Sequence, residues 1–178
     1  VLRHDAQGLS LRLDLGQVGV EDVTMAGRTW SALSLEDGAL DGKPGETALP
    51  VWSTLVAVPD GARLSVSASA DRQVIWRDLD LAPQTRDDGS LEAVDLVGKA
   101  ISRRPELVEL GKPARMAGLT VVPVTIRPVS YDAGARQATV TGQVDVELSW
   151  IGGAFAAQRP ASGIVDGLAA GAVANWPQ

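Results

Sequence analysis

The chain has 178 residues, 45% of them hydrophobic and 21% charged, with a formal charge of −6; that length fits one domain with a proper core. The acidic balance, with a pI near 4.7 and no dense Lys/Arg block, argues against a nucleic-acid binder, which needs a basic face to meet phosphates. Cysteine is absent and His4 is the single histidine, which rules out thiol nucleophiles, disulfides and zinc–thiolate sites and most multi-His metal arrangements, and points away from a self-sufficient hydrolase.

The elements read as strands in chain order. Leu9, Leu11, Leu13 and Leu15 alternate with Ser10, Arg12 and Asp14, the period of two expected of a half-buried strand. Further strands are expected around Val18–Thr24, Thr29–Leu35, Val51–Val58, Arg63–Ala70, Val74–Leu81, Leu119–Val129 and Gln137–Val140. The strict alternation returns at Val144, Val146, Leu148 and Trp150. Turn residues punctuate these runs at Asp41-Gly42, Lys43-Pro44-Gly45, Asp88-Gly89 and Asp132-Ala133-Gly134. Pro59-Asp60-Gly61 between two Val-rich runs reads as a hairpin, because Pro presets one turn dihedral and Gly accepts a positive φ. Tyr131 to Gly134 reads as a second hairpin. Pro123 and Pro128 lack an N–H and so predict an edge, bulged or broken strand. Many short strands with frequent turns predict an all-β antiparallel sandwich, jelly-roll-like, over residues 1–151.

Two regions depart from this pattern. Residues 84–118 form a long aperiodic segment carrying Arg86, Lys99, Arg103, Arg104, Lys112 and Arg115, flanked by Gly98, Gly111 and Gly118. Segments of that length in a compact domain tend to be functional, and such a loop can project a guanidinium towards a partner carboxylate. Residues 152–178 read as a linker and a short helix, with Ser162 as N-cap before Ile164, Val165, Leu168 and Val173. The start at Val1, without a basic and apolar leader, suggests a trimmed or excised segment, and no apolar stretch approaches the ~18–20 residues that span a bilayer.

Other candidates for chemistry have plainer readings. His4 reads as a solvated residue near a terminus. Asp87-Asp88-Gly89 with Glu92 lacks the spacing of a calcium loop and reads as a polar turn. At least three of Trp30, Trp52, Trp76 and Trp150 are expected in the core. Asp145 and Glu147 share the polar face of their strand, as a solvated face would. No metal or cofactor is expected.

The run Gly42-Lys43-Pro44-Gly45-Glu46-Thr47-Ala48-Leu49-Pro50-Val51-Trp52, followed by Val56-Ala57-Val58-Pro59-Asp60-Gly61-Ala62, resembles the N-terminal prodomain of gingipain-type cysteine peptidases. Leu79-Asp80-Leu81-Ala82-Pro83 and the stretch from Gly111-Lys112-Pro113 through Val121 to Tyr131-Asp132 continue the resemblance in the same order, as does the tail to Asn175-Trp176. The resemblance implies a β-sandwich prodomain of a secreted or cell-surface bacterial enzyme, leading into a catalytic domain outside this chain. Its partner would be the cognate cysteine peptidase domain, which it would keep latent and help to fold. It also implies a basic loop residue placed in the substrate pocket. Arg115 is the first candidate for that anchor, followed by Arg104 and Arg103; Arg103 and Arg104 are also a candidate processing site. The alternative is a non-inhibitory β-sandwich assembly or adhesion module of a larger secreted protein.

Overall fold

The computed structural model describes residues 1–16, 18–85, 102–155 and 172–175. Twelve strands follow one another among these: β1 (Arg3–Asp5), β2 (Gly8–Asp14), β3 (Val18–Met25), β4 (Arg28–Leu35), β5 (Ala39–Asp41), β6 (Leu49–Val58), β7 (Arg63–Trp76), β8 (Val108–Leu110), β9 (Ala114–Met116), β10 (Leu119–Ile126), β11 (Val129–Asp132) and β12 (Gln137–Ile151). One sheet has the order β1-β2-β12-β11 with β7 along the other side of β12, the second has β5-β6-β10-β8 with β9 also on β10, and β3-β4 form a separate hairpin. All strand pairings are antiparallel.

The alternation in the sequence dictates how the sheets meet. Leu9 and Leu11 of β2 and Val144, Val146, Leu148 and Trp150 of β12 point into one cluster with Val56 and Val58 of β6 and Val122, Val124 and Ile126 of β10. The two sheets therefore enclose a shared core between their inner faces, the arrangement of an antiparallel sandwich. A second cluster joins Leu33 of β4 and Leu49 of β6 to Val129, Tyr131, Ala138 and Val140, with Leu79 and Leu81 inserted from the connection after β7. The Tyr131 hydroxyl, fully enclosed there, donates to the Leu79 carbonyl at 2.8 Å. Trp30 and Trp150 are buried, and Trp52 and Trp76 pack against the two clusters.

Several expectations need correction. Pro59-Asp60-Gly61 is not a hairpin turn, because β6 and β7 lie in different sheets. Asp60 exchanges backbone hydrogen bonds with Ala154 at 2.9 and 3.3 Å, so the turn is pinned to the chain beyond β12 and carries it from one sheet to the other. The strands expected at 63–70 and 74–81 are one strand, β7, which ends at Trp76 short of Leu81, and those expected at 137–140 and 144–150 are one strand, β12. β7 and β12 keep a single register across their polar middles, with Gln73 opposite Thr141 and Asp71 opposite Gln143. Arg72 sits there at φ 53°, with its guanidinium on Gln143 and Asp14.

The expected strand at 119–129 breaks at Pro128 into β10 and β11, while Pro123 lies inside β10 with neighbours on both sides. Pro123 accepts from the Gly111 N–H at 2.8 Å, so its polar groups face the gap between β8 and β9, where no ladder donor is needed from it. The stretch 84–118 is likewise not one continuous loop, since β8 and β9 lie within it. The Asp87-Asp88-Gly89 turn and most of the expected C-terminal helix fall on residues outside the described ones; of those described there, Ala172 has helical backbone and Val173 to Asn175 lie along β6.

Candidate functional site

The basic residues singled out in the sequence are placed by β8–β10 and by the segment that precedes β8. Arg103 makes an isolated bridge with Tyr131, its N–H donating to the Tyr131 carbonyl at 2.8 Å and its carbonyl accepting in return at 2.7 Å. Its guanidinium turns inward, donating to the backbone carbonyls of Asp41 at 2.6 Å and Thr47 at 3.1 Å and to the Asp41 carboxylate at 3.2 Å. Arg127 joins the same carboxylate at 3.1 Å and reaches Glu109 at 2.7 Å. Both arginine side chains are only 19% exposed. Burial tends to raise the Asp41 carboxyl, but the hydrogen bond from Arg127 and the charge of Arg103 outweigh it and hold it below its ordinary value. For Arg127, burial opposes the charge, and the bonds to Asp41 and Glu109 overcome it. This knot ties β5, β8 and the residue that follows β10 to the strand-like segment at Arg103.

Arg104 and Arg115 are placed differently. The Arg104 side chain is 76% exposed and meets Asp132 at 3.2 Å. Asp132 is held below its usual carboxylate range, first by the Ala135 backbone N–H and then by further bonds that include Arg104. Arg115 lies on β9, opposite Thr120, one residue before the hairpin end closed by the Met116–Leu119 pair. The two residues of that turn, Ala117 and Gly118, have φ of 48° and 82°, the left-handed pair that suits a two-residue hairpin. Arg115 is 58% exposed and bonds the carboxylate of Asp60, which also accepts from the Thr120 hydroxyl at 3.1 Å. The inter-sheet turn and the β9–β10 hairpin are thus joined by one carboxylate, with the Arg115 side chain on the surface; Lys112, three residues earlier, is also exposed.

The structure therefore does not bring the three candidate arginines into one site: it turns the half-buried Arg103 inward and leaves Arg104 and Arg115 on the surface with different aspartates. The Asp41–Arg127–Glu109 knot was not foreseen. Asp41-Gly42 was read only as a turn and Arg127 only as part of a strand, and no local spacing connects residues 86 apart. Asp145 pairs with Arg12 across β2 and β12 at 2.7 Å, a cross-strand pair on the outer face. His4 is exposed on β1, where its ring lies edge-on to Trp150 and Phe155.

A cavity of about 170 Å³ is lined by Leu13, Asp14, Leu15, Gly16, Glu36, Asp37 and Trp52, a lining without hydroxyl or imidazole groups. Among the described residues no group of three or more His, Asp or Glu side chains is placed to hold a metal ion, and no helix is long and apolar enough to cross a membrane.

The described residues thus form an all-β sandwich that carries Arg104 and Arg115 on its surface. The comparisons with known proteins agree in kind. The fold matches a chain of a structure that describes the zymogenic latency of gingipain K from Porphyromonas gingivalis, with a TM-score of 0.70 and 21% identity over 83% of this chain and 89% of that one. It also matches a chain of the complex of the pro- and mature domains of RgpB from the same organism, with a TM-score of 0.77 and 13% identity over 99% of this chain and 96% of that one. In sequence, the chain is 25% identical to Lys-gingipain of Porphyromonas gingivalis over 150 residues, which cover 76% of this chain. The chain spans 9% of the length of that curated relative. No family model matches. The resemblance to gingipain-type prodomains drawn from the sequence thus recurs in both fold and sequence comparisons.

Proposed function

We propose that this chain is the prodomain of a gingipain-like cysteine peptidase of a bacterium, exported with its enzyme to the cell surface or medium, and that it holds the catalytic domain latent and assists its folding. The observation that carries this reading is the match over nearly the whole of both chains to a structure of pro- and mature domains together. The matched chain is of this chain's own size, and a chain without cysteine fits the pro partner, since a cysteine peptidase needs its thiol. Such a domain supplies no catalytic group but can cover one. Tethering sets an effective concentration of order mM, so modest intrinsic affinity enforces latency.

Arg115 is the proposed pocket anchor. It stands next to a tight hairpin turn and is exposed, and an exposed pair such as Arg115–Asp60 is worth only about 0–1 kcal/mol, little hindrance to exchanging Asp60 for a carboxylate in a pocket. Arg104 is the second candidate. Arg103 is better suited to holding the fold, because its guanidinium is committed to Asp41 and Thr47. As a processing site, the Arg103–Arg104 bond requires the bridge to Tyr131 to open, and cleavage after Arg104 faces Pro105.

An inhibition titration of the cognate catalytic domain tests the reading. Folded wild-type chain is expected to inhibit, Arg115→Ala to weaken inhibition by about 30-fold or more, the loss typical of a buried interface anchor, and Arg104→Ala to leave it within a few-fold. Loss in Arg104→Ala alone moves the anchor upstream. Absence of inhibition by the folded wild-type chain overturns the prodomain reading in favour of an assembly module, for which the side of β7 that pairs with no strand among the described residues, with Val74 and Ile75 about half exposed, would be the first surface to probe.

A further inference from the structure

We propose that the outer edge of β6 at Leu55–Ala57 is a docking site for a short peptide carrying an aliphatic side chain and, two residues later, an asparagine, and that Val173–Asn175, bridged to the edge at Val173 and turning at Ala174 and Asn175, fill it in cis as a latch. The register shows why this edge is open. Pro123 turns its carbonyl towards Gly111, so Leu55, its partner across the β6–β10 pair, turns its own polar groups to the opposite side, and the period of two makes Ala57 do the same.

On that side the Ala174 N–H donates to the Leu55 carbonyl at 2.9 Å. The Asn175 side chain then takes both polar groups of Ala57: its Oδ1 accepts from the Ala57 N–H at 2.7 Å, and its Nδ2 donates to the Ala57 carbonyl at 2.9 Å. A primary amide offers one acceptor and a donor side by side, like a peptide unit, so Asn175 stands in for the next stretch of strand backbone. Main-chain bonds to a sheet edge with a side-chain pocket beside them are a general mode of peptide recognition; here the bridge is confined to Val173, and where the chain turns at Ala174 and Asn175 the asparagine amide takes over the edge.

The pocket here belongs to Val173, which is 4% exposed and packs with Ala57, Leu119 and Val121, flanked by Leu55 and Met116. Asn175 is 7% exposed, and its Nδ2 lies 3.3 Å from His4 Nε2, so the latch also touches β1 of the other sheet. The contact is non-covalent. A break in the chain ahead of Gly171 therefore leaves these residues, and whatever follows them, on the domain. This holds whether or not the domain inhibits a peptidase.

The test uses the full chain, uniformly 15N-labelled, as wild type and as Asn175→Ala, Ala174→Pro and Val173→Asp. Exchange of the Ala57 amide proton is expected to accelerate about tenfold or more in Asn175→Ala, while the Val56 amide, which faces β10, keeps its protection and reports an intact sandwich. A synthetic peptide of residues 171–178 is expected to shift the Ala57 and Leu55 resonances of Val173→Asp but not those of wild type, where the site is filled. The same peptide with its asparagine replaced by alanine is expected to shift neither. Should Val173→Asp fail to fold, Ala174→Pro, which keeps the valine, serves as acceptor. Unchanged Ala57 exchange in Asn175→Ala, no shift on adding peptide to the unlatched chain, or equal shifts in wild type would each overturn the proposal.

Discussion

Gly111 and Pro123 face each other where β8 ends against β10: the Gly111 N–H donates to the Pro123 carbonyl at 2.8 Å, and a methyl group on Gly111 would stand 2.9 Å from Cγ of the proline ring. The close approach lets β10 accept a proline in mid-sheet. Gly111→Ala is therefore expected to lower stability by about 1–3 kcal/mol, as overpacking does, read as a reduced urea midpoint with an unchanged slope. A midpoint equal to wild type would show that the ring moves aside freely.

The two adjacent arginines should separate cleanly. Arg103→Ala removes three hydrogen bonds of a mostly buried side chain and leaves the Asp41 carboxylate with less compensation, so a loss of about 1–3 kcal/mol is expected. Arg104→Ala breaks one exposed pair and should cost under about 0.5 kcal/mol. Equal effects in denaturant melts would contradict the assignment of Arg103 to the interior.

Acid should destabilise the domain. Asp41, Asp132, Asp145 and Asp5 all ionise below the ordinary 3.8. Arg127 and Arg103 outweigh burial at Asp41, the Ala135 N–H leads at Asp132, Arg12 leads at Asp145, and the Gln7 N–H leads at Asp5. A carboxyl whose value is depressed on folding binds fewer protons in the native state. Its contribution is complete above 3.8 and is lost as the pH falls below it. Midpoints measured from pH 7 to pH 2 should stay level to about pH 5 and then fall, and Asp41→Asn should shallow that fall. A steep change above pH 5 would point to other groups.

Two tight turns contain alanine in the left-handed region, Ala26 at φ 50° and Ala117 at φ 48°, each followed by a glycine with positive φ. Alanine is strained there, whereas asparagine visits the region routinely. Ala26→Asn and Ala117→Asn are each expected to raise stability by up to about 1 kcal/mol, measured by thermal and urea melts. Gly118→Ala is expected to lower it by a similar amount.

What could be read from the residues follows from where one face is buried. Leu9 to Leu15 and Val144 to Trp150 alternate because each strand has a core side and a wet side, so both strands, and the sandwich they imply, were visible in advance. Asp71-Arg72-Gln73 and Thr141-Gly142-Gln143 hid the continuity of β7 and β12, because the polar triplets satisfy each other across the ladder and leave no apolar mark. β8 and β9, three residues each beside Gly111 and Pro113, are too short for a period to show. Pro59-Asp60-Gly61 has the chemistry of a turn, but which strands it joins depends on Ala154, far along the chain. In the candidate site, exposure of Arg104 and Arg115 was the ordinary expectation for charged residues. The inward turn of Arg103 was not, since its acceptors lie at Asp41 and Thr47, 62 and 56 residues away.

β12 is hydrogen-bonded along both sides, to β2 and β11 on one and to β7 on the other, and its Asp145 meets Arg12 across 133 residues of sequence. During synthesis, at about 5–20 residues per second, roughly 7–27 s separate the emergence of those two partners from the ribosome. The early strands spend that interval with an unmatched apolar face and an open backbone edge, so assembly waits on the last long strand instead of growing from the first. A nascent chain of this kind depends on being shielded while it is translated, and premature termination anywhere before Gln137 yields a polypeptide lacking the central strand of one sheet.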